Sequence, residues 1–220
     1  MKYIYHHLGL GDHIICNGLV RYFKELHGEV TVFSKPHNYE NIKHMYRDDE
    51  NIKVINVGDD GGVNNFIDTE KLNEKVIRVG FGNLTWRDGC TFDEEFYTTI
   101  GVPFEYRFSK FNFLRDLEKE TLIFNQVNPL NEKYVFTHGE LDLTKIRTDL
   151  KIISNPSEFG LFDIIKLIEN AEEVHLMESS IKCLVNSYVF SKPKFYYHQY
   201  VRGYGDYLNS KGLNKFEIVR

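Results

Sequence analysis

Short apolar runs alternate with longer amphipathic stretches along most of the chain. The runs are rich in β-branched and aromatic residues, as strands are, and in the amphipathic stretches apolar residues recur every three or four positions, as on the buried face of a helix. This pattern predicts eight strands, at 2–7, 29–34, 51–57, 74–81, 133–138, 150–155, 172–178 and 192–198. It predicts six helices, at 12–27, 38–48, 91–101, 114–127, 158–171 and 179–190.

Local signals refine the ends of these elements. Asn38 is a plausible cap for the second helix, and the glycine-rich segment 59–65 is predicted to be a solvated loop. Within 114–127, the sequence TLIF is also compatible with a strand. The segment 192–198 is predicted to be the last strand, followed by a helix or loop.

Strands separated by helices of about a dozen residues indicate right-handed crossovers and mostly parallel sheets. The alternation restarts near residue 115. We therefore predict an α/β fold of two small Rossmann-like domains, 1–114 and 115–220, that face each other across a cleft. A single continuous sheet is the alternative.

Composition narrows the class of protein. With 220 residues, 42% hydrophobic and 27% charged, the chain is typical of a folded globular protein. No apolar run approaches the roughly 20 residues that span a bilayer, and the N-terminus lacks a secretion signal, so we expect a cytoplasmic protein without a transmembrane segment. Three scattered cysteines do not suggest disulfides. A net charge of −5 gives no support to nucleic-acid binding, and nothing indicates the oligomeric state.

The turn after the first strand carries the main functional signal. Gly9, Gly11 and Asp12 stand between a strand and a long helix, where free backbone N–H groups attract anionic and polar ligands. A dinucleotide fingerprint needs a third glycine, but Ile14 occupies that place, and the second strand ends without an acidic residue. NAD binding is therefore disfavoured. The alternative to a functional role is that Asp12 caps the helix.

Histidines near this turn raise the question of a metal. His6 and His7 are adjacent in a predicted strand and so point to opposite faces of it, which disfavours a shared zinc site with His13 and Cys16. His13, next to Asp12, is instead a candidate to bind an acceptor or a phosphate.

The sequence LGLGDHIICNGLVRYF resembles the start of the ADP-heptose:lipopolysaccharide heptosyltransferase-like glycosyltransferases, which open with a strand, a glycine–aspartate turn and a helix. The resemblance implies a GT-B fold, with the nucleotide-sugar donor held chiefly by the C-terminal domain and the acceptor by the N-terminal one. It implies that Asp12 is the general base of an inverting reaction.

A second signature of that family, a strand ending in an acidic residue before a small-residue helix start, resembles VHLMESSIKCL. Glu178, Ser179 and Ser180 take the matching positions, with Glu in place of the usual Asp and Cys183 or Leu184 near the place of the usual histidine. By the resemblance these residues hold the donor, although Ser179 could equally serve only as a helix cap.

The resemblance implies two further donor contacts. His138 and Gly139 follow the predicted strand at 133–138, where the family places a polar loop near the donor phosphates. Beyond it, Lys145 or Arg147 would supply the basic residue that stabilises the leaving diphosphate. Arg202 and Tyr204, in the aromatic C-terminal stretch, either lie near the cleft or pack back on the first domain.

Together these features predict a glycosyltransferase that moves a sugar from a nucleotide sugar to a hydroxyl of a glycan or lipid-linked acceptor. No D-x-D motif ends a predicted strand, so the reaction is expected to need no metal and no cofactor besides the donor substrate. The alternatives are a non-catalytic nucleotide-sugar-binding module and, less favoured, a Rossmann-type oxidoreductase.

Overall fold

A computed structural model describes residues 1–81, 90–201 and 212–220. The described chain forms two compact units, Met1–Leu114 and the described residues from Arg115 onward. Each unit contains one parallel sheet, of four strands in the first and five in the second. The predicted α/β fold class with two Rossmann-like sheets is confirmed, and the single continuous sheet is excluded. The predicted residues Arg202 and Tyr204 lie outside the described residues.

The first unit is built from strands whose order across the sheet is β3-β2-β1-β4. The strands are β1 (Lys2–Tyr5), β2 (Val30–Ser34), β3 (Ile52–Asn56) and β4 (Val76–Arg78). The helices are α1 (Leu10–Ile15), α2 (Asn17–His27), α3 (Tyr39–Met45), α4 (Asp60–Thr69), α5 (Phe92–Thr98) and α6 (Tyr106–Ser109). One face of the sheet packs Tyr3, Tyr5 and Phe33 against Val63 and Ile67 of α4.

Three local predictions for this unit were wrong in whole or in part. The segment 59–65 is not a loop, because Asp59 caps α4 by accepting from the Gly62 amide at 2.8 Å, and the helix buries Val63 and Ile67. That burial outweighs the poor helix propensity of the two glycines. The helix expected at 12–27 is divided at Cys16 into α1 and α2. Asn38 does stand at the N-cap position of α3, but its side chain makes no cap; the buried amide donates instead to the Leu8 carbonyl at 3.1 Å.

The second unit has the strand order β6-β5-β7-β8-β9. Its strands are β5 (Tyr134–His138), β6 (Lys151–Ser154), β7 (Glu173–Leu176), β8 (Lys194–His198) and β9 (Phe216–Val219). Its helices are α7 (Leu117–Val127), α8 (Ile165–Asn170) and α9 (Ser180–Ser187). The TLIF sequence is thus helical, and the helix expected at 158–171 is a short 3-10 turn, Leu161–Asp163, followed by α8. β9 was not predicted, and it pairs in parallel with β8.

The two faces of the second sheet differ in chemistry. Helices α8 and α9 follow crossovers in the same direction across the sheet, so they cover the same face. The Tyr134 hydroxyl on this face donates to the Leu167 carbonyl of α8 at 2.6 Å. The opposite face carries a polar row, because Thr137, His175 and Tyr196 occupy the same register position on β5, β7 and β8.

The helices of the described residues are all short or polar. None of them is long and apolar enough to cross a lipid bilayer.

Candidate active site

The turn that follows β1 forms the start of α1. β1 ends at Tyr5, and Gly9 is the N-cap residue of α1 with an extended backbone and no side-chain cap. Asp12 is the third helical residue, so the idea that Asp12 is the N-cap is wrong. Gly11 is the second helical residue and is half-buried. It adds no side chain to the first turn of the helix. The turn therefore lies at the carboxyl end of a parallel strand, where ligands bind in sheets of this kind.

The carboxylate of Asp12 folds back onto the turn. A β-carbon at Gly9 would lie 2.5 Å from the Oδ2 atom of Asp12, so a glycine is needed for this approach. The backbone amides of Gly9 and Asp12 are close enough to the carboxylate to favour its ionised form and so to lower its pKa. An acidic group here also meets the positive end of the helix dipole.

Burial controls the protonation of Asp12. Desolvation raises the pKa of its carboxyl from 3.8 to about 6, against the lowering effects of the positive charge of His7, the two backbone amides and Lys35. A carboxyl with a pKa near neutrality can accept a proton from a bound hydroxyl group far better than an exposed aspartate can. The site therefore has the chemistry of a general base.

His13 does not lie where a ligand would reach it. Its ring and that of His6 are fully buried, with centroids 4.3 Å apart and nearly perpendicular planes. Burial lowers the pKa of His6 to about 4 and that of His13 well below its usual value, so both rings are neutral at pH 7. Because the His13 ring is fully buried, it does not contact an acceptor or a phosphate as the sequence led us to expect. Among the described residues, no three His, Cys, Asp or Glu side chains are grouped to hold a metal ion.

The second unit brings its predicted residues to the carboxyl ends of β5 and β7. His138 is the half-buried last residue of β5. Gly139 has a φ of +104°, and a β-carbon there would lie 2.5 Å from the Met177 side chain. Met177 follows β7, so this glycine is needed for packing between the two strand ends. Packing against Met177 and the positive φ explain why residue 139 is a glycine, and no ligand is needed for that explanation.

The segment after β7 forms the cap of α9. The Ser179 side chain accepts from the Lys182 amide at 3.3 Å and donates to the Met177 carbonyl at 3.2 Å. Its hydroxyl is therefore engaged in a helix cap, which is the alternative that the sequence left open. Ser180 is the half-buried first residue of α9.

Glu178 is held by a residue that sequence reasoning missed. Its Oε2 atom accepts from the Lys182 ammonium at 2.7 Å and from the Tyr197 hydroxyl at 3.2 Å. Lys182 is 3% exposed, and its ammonium lies 4.4 Å from the centroid of the Tyr197 ring. A lysine four residues after a glutamate on a helix start is the signal that could have indicated this pair.

The two candidate cations are on the segment between β5 and β6. Lys145 is exposed; its ammonium donates to the Arg220 carbonyl at 2.6 Å and lies 4.4 Å from the Tyr200 ring centroid. Arg147 is also exposed, two residues further on. The structure places both in the same unit as His138 and Ser180.

A hydrogen-bonded chain of buried histidines crosses the polar face of the second sheet. His175 Nδ1 lies 2.9 Å from His198 Nε2, and His198 Nδ1 lies 3.0 Å from the Tyr200 hydroxyl. Glu173 is 3.3 Å from the other nitrogen of His175. Sequence reasoning did not single out this group, because its members become neighbours only through the register of β7 and β8.

The fold has a counterpart among solved structures. The crystal structure of a glycosyl transferase family 9 protein from Veillonella parvula DSM 2008 matches this chain with a TM-score of 0.63 and 10% sequence identity, over 99% of this chain and 85% of that one. The two proteins share a fold. This confirms the fold that the resemblance implied.

Sequence comparisons add nothing to this likeness. No protein-family model matches the chain, and no curated protein sequence matches it significantly. At 10% identity the structural match establishes the fold alone. The evidence for an activity lies in the residues at the carboxyl ends of the strands in the two sheets.

Proposed function

We propose that this protein is a glycosyltransferase that moves a sugar from a nucleotide sugar to a hydroxyl group of a glycan or lipid-linked acceptor. The observation that carries the proposal is the Asp12 carboxyl, which lies at a helix start after β1 with a pKa raised by burial to about 6. The fold shared with a family 9 glycosyl transferase supports the same reaction class.

In this proposal, Asp12 removes the proton of the acceptor hydroxyl as its oxygen attacks the anomeric carbon. The bond from that carbon to the diphosphate breaks, and the nucleoside diphosphate leaves with the electron pair. Attack opposite to the leaving group inverts the configuration at the anomeric carbon. The acceptor is therefore assigned to the first unit, with Gly9 and Gly11 leaving room beside the carboxylate.

The donor is assigned to the second unit. The backbone N–H groups at the start of α9, the Ser180 hydroxyl and His138 can donate hydrogen bonds to phosphate oxygens of the donor. Glu178, fixed by Lys182, can accept a hydroxyl of the ribose or sugar. Lys145 or Arg147 would stabilise the departing diphosphate, so that the reaction needs no divalent metal.

The first test identifies the donor. Thermal-shift measurements with GDP-, UDP-, ADP-, dTDP- and CMP-sugars should show stabilisation by one of these classes and none by NAD or NADP. Stabilisation by NAD or NADP alone would instead favour the oxidoreductase. Binding of a nucleotide sugar without hydrolysis or transfer under any condition would favour a non-catalytic binding module.

The second test concerns Asp12. Asp12→Asn should reduce transfer by about 10²–10⁴-fold, as expected for loss of a general base, and leave donor affinity nearly unchanged. Asp68→Asn, an exposed change of the same kind in the same unit, is the matched control and should be neutral. A parallel loss of donor affinity in Asp12→Asn would contradict the assignment of a base.

A further inference from the structure

The hydrogen-bonded histidines of the second sheet have no role in the function proposed above. Their bonds run from Glu173 through His175, His198 and Tyr200 to the backbone amide of Asp142, and we call these five residues the histidine network. His175 and His198 are 4% and 1% exposed, so the bond between them is shielded from water. The network ends in the segment between β5 and β6, which also carries Lys145.

The carboxylate end sets the direction of the network. A carboxylate only accepts, so the proton of His175 is on Nε2, 3.3 Å from Glu173. Burial lowers the pKa of His175, and burial together with the neighbouring His175 lowers that of His198 to about 4, so both rings are neutral at pH 7. Nδ1 of His175 is then an acceptor, and Nε2 of His198 donates to it at 2.9 Å.

The same argument places the proton of the Tyr200 hydroxyl. With its own proton on Nε2, His198 presents a bare Nδ1 at 3.0 Å from the Tyr200 oxygen, and the hydroxyl donates to it. The lone pairs of that oxygen accept the Asp142 amide at 3.0 Å. One arrangement of protons thus satisfies every bond from Glu173 to Asp142, and it holds the Tyr200 oxygen in one place.

The Asp142 amide stands at the start of a short turn. Asp142 caps the 3-10 turn Leu143–Lys145, where its carboxylate accepts from the Thr144 amide at 3.1 Å and from the Thr144 hydroxyl at 2.6 Å. Lys145 is the last residue of the turn, and its ammonium lies 4.4 Å from the centroid of the Tyr200 ring. Tyr200 therefore contacts both ends of this turn, with its hydroxyl at Asp142 and its ring at Lys145.

The ammonium of Lys145 keeps donors for a ligand. It has three N–H groups and gives one of them to the Arg220 carbonyl. A lysine on a flexible four-carbon stem samples many orientations when it is exposed. The contact with the Tyr200 ring reduces that freedom before a ligand binds, which lowers the entropic cost of binding.

We propose that Tyr200 is a positioning residue: its hydroxyl, fixed by His175 and His198, and its ring together place Lys145 as the cation that binds the diphosphate of the sugar donor. The inference rests on the proposed function, and it selects Lys145 over Arg147 for this role. It also gives the histidine network a task that the assignment of the donor to this unit does not contain.

The first experiment follows the turn by amide hydrogen exchange in the full chain. Tyr200→Phe keeps the ring beside Lys145 and removes only the hydroxyl, so exchange at the Asp142 amide should become about 5- to 10-fold faster. Tyr196→Phe is the matched control, because the Tyr196 ring stacks on His175 at 4.4 Å and its hydroxyl is not part of the network. This control should leave the exchange at Asp142 unchanged.

A second variant covers the case in which Tyr200→Phe does not fold. His198→Leu removes the acceptor of the Tyr200 proton and should also speed exchange at the Asp142 amide. Unchanged exchange at Asp142 in a folded variant of either kind overturns the inference.

The second experiment measures the affinity of the full chain for inorganic pyrophosphate, which carries the diphosphate group of every nucleoside diphosphate. Lys145→Met should weaken binding by about 10-fold, and Tyr200→Phe by about 3-fold. In the double variant Tyr200→Phe/Lys145→Met the affinity should equal that of Lys145→Met, because Tyr200 acts through this one cation. Multiplicative losses, an unchanged affinity in Lys145→Met, or no binding of pyrophosphate by the wild type would overturn the inference.

Both readouts are independent of sugar transfer. If the wild type binds pyrophosphate through Lys145 but transfers no sugar from any donor, the proposed function fails and the role of Tyr200 stands. If sugar is transferred while Tyr200→Phe changes neither the exchange nor the affinity, the inference fails and the proposed function stands.

Discussion

Gly9 makes room for the carboxylate of Asp12, whose Oδ2 atom would be only 2.5 Å from a β-carbon at that position. The glycine of the turn is therefore needed by a residue of this chain, whatever ligand binds. The presence of a glycine three residues before Asp12 is therefore explained by this close approach within the chain.

Replacement of Gly9 tests this relationship. Gly9→Ala should displace the Asp12 carboxyl and lower the rate of transfer by about 10- to 100-fold, since a misplacement near 1 Å costs that much. The steady-state rate at saturating donor is the measurement. In the double variant Gly9→Ala/Asp12→Asn, the rate should equal that of Asp12→Asn, because both changes act through one group. Independent, multiplicative losses would contradict the explanation.

The raised pKa of Asp12 predicts a pH-dependent stability. The folded state holds this proton more tightly than the unfolded state does, so the contribution to stability is present below about pH 4 and is lost as the pH rises through about 6. Asp12→Asn should therefore stabilise the protein at pH 8 by on the order of 1–2 kcal/mol, and by less at pH 4. Urea unfolding at the two pH values measures the difference. Equal effects of the substitution at pH 4 and pH 8 would show that the carboxyl is not buried.

Arg115 should be important for the stability of the second unit. Its guanidinium bonds the fully buried Glu120, at 2.5–3.2 Å, and Glu169. Arg115→Met leaves the Glu120 charge buried without its partner, and should lower the free energy of unfolding by about 3–5 kcal/mol.

The control for Arg115 is an exposed ion pair. Lys151 and Glu132 are 3.2 Å apart and both largely exposed, so Lys151→Met should cost only about 0–1 kcal/mol. Urea unfolding followed by circular dichroism compares the two variants. Similar losses in both would contradict the role of Arg115.

The His175–His198 pair predicts acid sensitivity. Burial and the neighbouring His175 lower the pKa of His198 to about 4, and burial lowers that of His175 as well. The unfolded state then binds more protons, so the contribution to stability is full above about pH 6.5 and is lost as the pH falls towards 4. In His198→Gln the free energy of unfolding should fall less between pH 7 and pH 4.5 than in the wild type. His37→Gln, in which an exposed histidine is lost, should retain the wild-type slope.

Most of the elements could be predicted from the sequence, since hydrophobic period and turn residues are local signals. All eight predicted strands and most of the helices are present, with shorter bounds. α4 was missed because a cap at Asp59 and buried Val63 and Ile67 offset its glycines. β9 was missed because its central residues, Glu217 and Ile218, are exposed at the edge of the sheet and give a weak pattern.

The candidate site could be located only in part from the sequence. The glycine–aspartate turn and the helix start at Ser179 were visible as motifs. The burial of His13 could not be seen in the sequence, and the sequence did not decide between a cap and a ligand contact for Ser179. Each depends on what packs around the residue, which spacing along the chain does not specify.

The sequence by itself determined where strands and helices alternate and which turns carry polar groups, because these follow from residues close together in the chain. The tertiary structure alone decided the charge state of those groups. Whether Asp12 titrates near pH 6, and whether His6 and His13 stay neutral, depends on the water removed by residues distant in sequence and on the charges those residues bring. Desolvation and electrostatic interaction act through space, so the chemistry of this turn is fixed only when the fold is complete.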